Sequence, residues 1–576
     1  MDKVNIFING NKIIVDKNST ILEAAKEVNI KIPSLCYMKL QDGKTVNCKG
    51  SCRVCVVEVE GRRNLVASCS TLVSEGMVIR TNTKRVIKAR RNVVELLLSD
   101  HPYDCLKCNK NLKCELQKVA ADLGIREISY EGEKRKHKID ISSYSIVKDK
   151  SKCINCRRCV TVCDEIQQVH VLTGGGRGFH GTVTTFLDKP LIDTNCTNCG
   201  QCVAVCPTGS LREAYSYDNV WDALEDKSKY VIVQVAPSIR VALGEEFGME
   251  PTEETTMKMV GILKEIGFDK VFDTNFGADL TIMEEAAEFL ERLKSEKDMP
   301  MITSCCPAWV KFMENEYLGE VKHLSSCKSP QQMFGAVAKT YLAEKLGIDK
   351  KDMIVVSIMP CVAKKSEIER PEFKQDGIKD VDYVITTREL IRMIRELGID
   401  LKNVKREEFD NPLGEATGAG ALFGATGGVM EAALRTAYEF YTGEELKNVD
   451  FVEVRGLKGI KEATITLKGK KLNVAVASSL GNARTIMEEI KLGKSKYDFI
   501  EIMACPGGCI NGGGQPLIKA NIDIIKTRMN GIYNEDLRKT VRKSNENKEI
   551  KLLYNKYLGG ANSKKAHELL HTTYKE

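Results

Sequence analysis

Apolar and polar residues alternate from Val4 to Val15, with Asn9-Gly10 at the midpoint. Alternation sends successive side chains to opposite faces of a strand, and Asn-Gly suits a left-handed turn, so the segment predicts a hairpin. Ser19-Thr20-Ile21-Leu22-Glu23 then has the hydroxyl-to-acid spacing of a capped helix start. Between Arg80 and about Gly124, Val86, Val93, Leu96 and Leu97 recur at helical spacing and predict a helical stretch. Beyond Gly209, short apolar runs such as Tyr230 to Val235 and Met353 to Ile358 alternate with helical patterns. That order predicts buried parallel strands joined by crossover helices. The basic run Lys134 to Lys138 reads as a solvated loop, Gly174 to Gly178 as a turn. The last stretch, about 45 residues, is charged and shows no chemical motif.

With 576 residues, 43% of them hydrophobic, the chain is long enough for several cores. No apolar run approaches the ~20 residues of a membrane helix, which argues against a membrane protein. Met1 to Gly10 lacks the basic-then-apolar order of an export signal, so the expected compartment is the cytoplasm. In that compartment the 22 cysteines stay reduced, and their clustering at two- and three-residue gaps points to metal. A formal charge of +7 is too weak to argue for nucleic acid. Oxidised four-cysteine iron–sulfur centres, each carrying roughly −2, would cancel it.

All but six cysteines precede Pro207. Cys153, Cys156, Cys159 and Cys163 form one copy of a pattern that Cys196, Cys199, Cys202 and Cys206-Pro207 repeat. Three closely spaced thiolates wrap one cubane while the fourth reaches its neighbour. The sets are therefore Cys153, Cys156, Cys159 and Cys206, and Cys196, Cys199, Cys202 and Cys163. A pair of zinc sites is the competing reading, and Asp164 stands where the pattern has proline. Cys36, Cys52, Cys55 and Cys69 lie on the N-terminal module. Through Gly50-Ser51-Cys52-Arg53-Val54-Cys55 it resembles a plant-type ferredoxin domain with a two-iron centre, as in the respiratory NADH dehydrogenase large subunit. Cys48 breaks the spacing and reads as a spare thiol. His101, Cys105, Cys108 and Cys114 form a third arrangement, a cubane with one imidazole ligand or, alternatively, a zinc site.

Three stretches carry five of the remaining cysteines: Thr303-Ser-Cys-Cys-Pro-Ala-Trp309, Met359-Pro-Cys-Val-Ala-Lys-Lys365 and Glu501-Ile-Met-Ala-Cys-Pro-Gly-Gly-Cys509 with its continuation to Pro516. They resemble the three signature motifs of [FeFe]-hydrogenases. With the front half, the resemblance runs over about residues 1 to 520 and is to monomeric clostridial enzymes with a full set of accessory clusters.

The resemblance implies that Cys306, Cys361, Cys505 and Cys509 hold a cubane. Cys509 would bridge it to a diiron subsite with carbonyl, cyanide and dithiolate-amine ligands, the pair forming the H-cluster. Lys364 and Ser238, beside Pro237, would donate to cyanides, and Met359, Met503, Phe423 and Gln331 would complete the binding pocket. Cys305 would carry the proton, passed outward through Glu285, Ser325, Glu288 and Arg292. Each residue also has a plainer reading. Lys364 alone resembles a surface lysine and Met503 a core filler. The glycines from Gly418 to Gly428 lack the spacing of a dinucleotide loop. Glu285, Glu288 and Arg292 share a helix face opposite Met283, Ala287 and Leu290, which without the resemblance reads as a solvated ion-paired stripe. Ala308 stands where glycine is common, and Cys327 interrupts Ser325-Ser326-Lys328 as a small buried hydrophobe.

The expected fold is multidomain α/β and α+β. A β-grasp ferredoxin-like domain spans 1–80, a one-His/three-Cys cluster domain 81–126, a two-cubane bacterial-ferredoxin-like domain 127–209 and a catalytic H-cluster domain 210–576. The cofactors would be one [2Fe-2S] cluster, three accessory [4Fe-4S] clusters and the H-cluster. The expected activity is ferredoxin hydrogenase, reducing protons to dihydrogen reversibly. Its partners would be ferredoxin or flavodoxin, with Lys134 to Lys138 as docking patch, and diiron maturation proteins; neither nucleic acid nor membrane is expected, and the chain would be a monomer. A hydrogen sensor, an iron–sulfur assembly scaffold and an NADH dehydrogenase subunit are the alternatives. Cys305, Met359 and Met503 together argue against all three.

Overall fold

In the computed structural model, residues 2–48, 50–519 and 521–574 are described. The N-terminal hairpin pairs Lys3–Ile8 with Asn11–Asp16, Val4 opposite Val15, and Asn9 and Gly10 both adopt positive φ at its turn. Val4, Ile6, Ile8 and Val15 face the core, as the alternation requires. The helix Ile21–Glu27 starts in a capping box: Thr20 N donates to Glu23 Oε2 at 2.9 Å, and Glu23 N to Thr20 Oγ1 at 3.3 Å. Five strands form the sheet in the order 11–16, 3–8, 78–80, 56–59, 66–67. Strand 3–8 runs parallel to 78–80.

The helical stretch after Arg80 is two helices, Lys84–Ser99 and Glu115–Asp122, not one. Pro102 offers no N–H and disfavours helix at His101, so the chain leaves the helix at the first proposed ligand. Residues 134–138 are irregular, with Lys134, Lys136 and Lys138 exposed; Arg135 is half-buried and pairs with Asp100. Gly176 and Gly178 lie in the turn of a small hairpin, Thr173–Gly175 with Thr182–Thr184.

Two four-stranded sheets organise the remainder. In the first, strands 270–273, 230–235, 353–359 and 383–386 lie side by side and all parallel. The second has the order 301–302, 499–503, 470–478, 460–467, antiparallel only in the last pair. The long helix Thr274–Ser295 packs against Pro330–Val337 and Gly428–Thr442. Chemistry-bearing segments leave the carboxyl ends of the strands: Ala236-Pro237-Ser238 follows Val235, Pro360-Cys361 follows Met359, and Ala504-Cys505 follows Met503. Open α/β sheets place ligands at such strand ends, because the chain turns there into loops and helix starts.

The charged C-terminal stretch is integral rather than a featureless tail. Its helix Lys548–Leu553 packs on the long helix, Ile522–Arg538 on the helix Gly418–Leu422, and Lys564–Leu570 on Pro330–Val337. Ser544 Oγ and Asn547 Nδ2 donate to buried Asp279, and Asn562 N donates to buried Glu284. Among the described residues, no helix is long and apolar enough to cross a membrane.

Candidate active site

Between the strand ends lies a cavity with about 750 Å³ of atom-free space, part of it open to solvent. Its wall brings together Cys305, Cys306, Cys361, Cys505 and Cys509 with Pro237, Ser238, Gln331, Met359, Lys364, Phe423 and Met503, every pocket residue expected from sequence. Local structure explains the placement. Cys306 caps the helix Pro307–Glu316, whose Trp309 Nε1 donates back to Thr303 O at 3.2 Å. Cys361 precedes the short helix Ala363–Glu367, which carries Lys364. Gly508 adopts φ +96° just before Cys509, and a Cβ there would lie 2.5 Å from Thr426 N.

The electrostatics suit a metal–sulfur group. Cys305, Cys306, Cys361 and Cys509 are half-buried only because they face the cavity. Burial, then Cys306, pushes the Cys361 thiol up to about 12, and burial raises Cys306, Cys505 and Cys509 as well. Four thiols that resist ionisation in an apolar hole need a cation to become thiolates. Ser238 Oγ and Gln331 Oε1 line the same wall, buried and without hydrogen-bond partners. Orphaned polar atoms at a cavity of this size fit a bound group that satisfies them.

Lys364 is not a surface lysine. It is 8% exposed, and its Nζ donates to both Glu367 oxygens at 3.0 Å and to Cys305 O at 3.2 Å. Glu367, which sequence reasoning did not single out, also accepts from Ser329 Oγ and Gln331 Nε2. One carboxylate thus holds two cavity-lining side chains in place.

The solvated reading of the helix face is corrected: Glu285 and Glu288 are 0% and 8% exposed, while Ala287, opposite, is half-buried. The long helix is covered on nearly every side, so its polar stripe lies inside the protein. Burial, then neighbouring Glu288, raises Glu285 to about 8. Glu285 also bears on Cys305, whose thiol burial has already pushed up. Ser325 Oγ donates to Glu288 Oε2 at 3.0 Å, and Arg292 Nη2 to Glu288 Oε1 at 2.6 Å. The backbone of Ser325 is fixed by strand 301–302, its N–H donating to Ile302 O at 2.7 Å. Cys327 is 1% exposed and packs in the core, yet its Sγ lies 3.7 Å from Glu288 Oε2.

Among the front cysteines, the N-terminal four gather. Cys36, Cys52, Cys55 and Cys69 are buried together, with Cys36 in contact with Cys52 and Cys69, and Cys55 with Cys69. Cys48 is exposed, outside that group. Burial, then Lys152, lowers His101 below the usual imidazole range and favours the neutral form that a metal accepts.

The sets also abut one another. Asn47 Nδ2 donates to Cys36 O at 2.6 Å and Cys156 O at 3.1 Å, joining the first module to the two-cubane module. A Cβ on Gly209 would lie 2.7 Å from Cys108 Sγ, so the His101 loop reaches that module too. Gly200 packs on Gly513, where a Cβ would lie 3.1 Å from the Gly513 Cα, and neighbouring Cys199 bears on Cys505. The glycines from Gly418 to Gly428 serve packing: a Cβ on Gly420 would meet Asn275 O at 2.5 Å and one on Gly428 would meet Leu422 O at 1.7 Å.

Successive cysteine sets leading to a cysteine-lined cavity define an iron–sulfur oxidoreductase. The family described as the C-terminal domain of the iron-only hydrogenase large subunit matches residues 229–513, and the iron hydrogenase small subunit matches 522–576. A 2Fe-2S cluster binding domain matches 1–84, the NADH-ubiquinone oxidoreductase-G iron-sulfur binding region matches 90–129, and a 4Fe-4S dicluster domain matches 126–210. The NADP-reducing hydrogenase subunit HndD of Solidesulfovibrio fructosivorans is 51% identical over 100% of this chain and 99% of its own. Iron hydrogenase 1 of Clostridium pasteurianum is 41% identical over 99% of this chain and 100% of its own. A solved variant of the [FeFe]-hydrogenase HydA1 from Chlamydomonas reinhardtii is 45% identical, with a TM-score of 0.56, covering 62% of this chain and 98% of that one. The chain belongs to the clostridial-type [FeFe]-hydrogenases, the iron-only hydrogenases with accessory iron–sulfur domains. The likeness extends past residue 520 to the C-terminus, beyond the range read from sequence.

Proposed function

We propose that the chain interconverts protons, electrons and dihydrogen at the cavity, with Cys305 as the group that gives and takes the proton. The carrying observation is the convergence of Cys306, Cys361, Cys505 and Cys509 with orphaned Ser238 Oγ and Gln331 Oε1 on one wall. Those four cysteines would hold the cubane of an H-cluster, and the diiron unit, when bound, supplies the bond-making chemistry. Lys364, fixed by Glu367, would present an ammonium to its anionic ligands, and Met359, Met503 and Phe423 would keep water out. Cys305 hands protons to Glu285, and Ser325, Glu288 and Arg292 conduct them outward.

We read the remaining sets as one two-iron cluster on a β-grasp module spanning 1–80, a cubane on His101, Cys105, Cys108 and Cys114 within 81–126, and two cubanes within 127–209. Residues 210–576 form the catalytic part. Cys153, Cys156, Cys159 and Cys206 would hold the cubane nearest the two outer sets, and Cys163, Cys196, Cys199 and Cys202 the one nearest the cavity, where Cys199 bears on Cys505. The outer port is the His101 loop: Leu106 is 92% exposed beside Cys105, and Lys134 lies over the Tyr103 ring at 3.8 Å. A basic and apolar surface there suits an acidic carrier such as ferredoxin or flavodoxin.

A second reading of the partner rests on the 51% identity to a subunit of an NADP-reducing hydrogenase. There the chain would be one subunit of an assembly that exchanges electrons with a nicotinamide nucleotide on another subunit. Matured protein assayed with reduced ferredoxin and, separately, with NADPH separates the two. Gas from ferredoxin alone supports direct transfer, and gas only after other subunits and NADPH are added supports the assembly.

A further inference from the structure

One buried guanidinium touches all three front modules. Arg158 opens the short helix Arg158–Thr161, between Cys156 and Cys159, and is 2% exposed. Its Nη1 and Nη2 each donate to one oxygen of Glu115 at 2.8 Å, a two-pronged ion pair. On the N-terminal module its Nε donates to Cys36 O at 3.4 Å and its Nη2 to Tyr37 O at 3.3 Å. Glu115 follows Cys114, and its N–H donates at 2.9 Å to Pro207 O, directly after Cys206. The guanidinium also bears on Cys156 and Cys206. Asn47 closes the junction: its Nδ2 bridges Cys36 O and Cys156 O, and its Oδ1 accepts from Thr161 Oγ1 at 2.7 Å. A proposed ligand from each of the three sets, Cys36, Cys114 and Cys156, thus adjoins this one ion pair.

We propose that the Arg158–Glu115 pair positions the cubane on Cys153, Cys156, Cys159 and Cys206 and sets its potential, making it the acceptor for the two outer clusters. The inference rests on the ligand sets proposed above. Each transfer moves one electron: an outer cluster is oxidised, the cubane is reduced, and no proton moves. Reduction adds negative charge to a centre whose potential follows the charges and hydrogen bonds around its sulfurs. A cation held out of water beside Cys156 favours that added charge, because buried charges are screened less than exposed ones. The pair is unequal: the Arg158 side chain is 3% exposed and that of Glu115 28%. Water screens the carboxylate more than the guanidinium, so the net field at Cys156 is positive. Lys110, 8% exposed and bearing on Cys206 and Glu115, adds a second buried cation. A clasp that merely joined modules would gain little from charge, since desolvating two ions offsets most of their attraction.

The test is a redox titration of the accessory clusters, followed by electron paramagnetic resonance in full-length protein lacking the diiron unit, with iron content measured on each sample. A Cys156→Ser variant identifies the signal of the cubane in question. Arg158→Gln leaves the Glu115 carboxylate unpaired and should make that cubane about tenfold harder to reduce, a fall of about 60 mV in its midpoint. Glu115→Gln leaves the guanidinium unopposed and should move the same midpoint upward. Arg158→Lys keeps the charge and should hold it near the parent value, and the double Gln variant should fall between the two single ones. Opposite signs are what charge predicts and loosened packing does not. Midpoints that stay put in both Gln variants, or move the same way, overturn the proposal. Should Arg158→Gln lose iron, the other two single variants decide: a rise in Glu115→Gln with none in Arg158→Lys supports it, and no rise overturns it. If Cys156→Ser alters no four-iron signal, the ligand reading itself fails and the proposal falls with it, before any charge variant is compared.

Discussion

Gly200 and Gly513 meet backbone to backbone: a Cβ on Gly513 would lie 2.8 Å from both the Cys199 carbonyl oxygen and the Gly200 Cα. The contact joins the two-cubane module to the third cysteine motif and sets Cys199 beside Cys505. Gly513→Ala should therefore push the modules apart while sparing every proposed ligand. Iron content should hold, and hydrogen evolution from an electron donor restricted to the outer clusters should fall by up to about 100-fold, what a 1 Å misplacement can cost. An unchanged rate would show that electrons do not cross at this contact.

Glu285 gives a pH prediction with a definite sign. Burial raises its carboxyl to about 8, above its ordinary 4.5, so folding favours the neutral acid. Its stabilisation is fully present below about pH 4.5 and is lost as pH rises through about 8. The full penalty for ionising it is on the order of 3–5 kcal/mol. Thermal denaturation of anaerobic protein should thus lose stability between pH 5 and 8, and Glu285→Gln should flatten that slope. The same variant should lower hydrogen evolution at least about 100-fold if Glu285 takes the proton from Cys305.

Lys364 and Glu367 are a buried ion pair, their side chains 10% and 4% exposed. Lys364→Met leaves the carboxylate with only Ser329 and Gln331 as donors, which should cost about 3 kcal/mol. Calorimetry reads that loss, and the cyanide bands in the infrared read retention of the diiron unit. A variant as stable as the parent that retains the unit would remove Lys364 from its proposed role.

The metal-bearing front was legible because its signals are local. Cys153 to Cys163 and Cys196 to Cys206 declare their pairing within a few residues, and the Thr20–Glu23 capping box announces its helix. Strand runs such as Met353 to Met359 were legible because a strand covered on both faces leaves only apolar side chains. Contacts between distant segments were not. The burial of Glu285 and Glu288 depends on packing around all sides of one helix, which periodicity on that helix cannot report. Glu367 and His571 meet partners far away in sequence, and nothing local in the run Gly512-Gly513-Gly514 reports that Gly513 packs on Gly200. The C-terminal helices carry no cysteine, so a reading led by metal chemistry passed over them.

The most direct measurement is anaerobic hydrogen evolution from reduced viologen by protein produced with diiron maturation enzymes, beside its iron content and a Cys305→Ser variant. The proposed ligand sets predict roughly 20 iron atoms per chain in both proteins. Rapid evolution by the unmutated protein and its collapse in Cys305→Ser, with iron unchanged, is the expected result. Fully loaded unmutated protein that evolves no hydrogen, or a Cys305→Ser variant that keeps the full rate, would contradict the account.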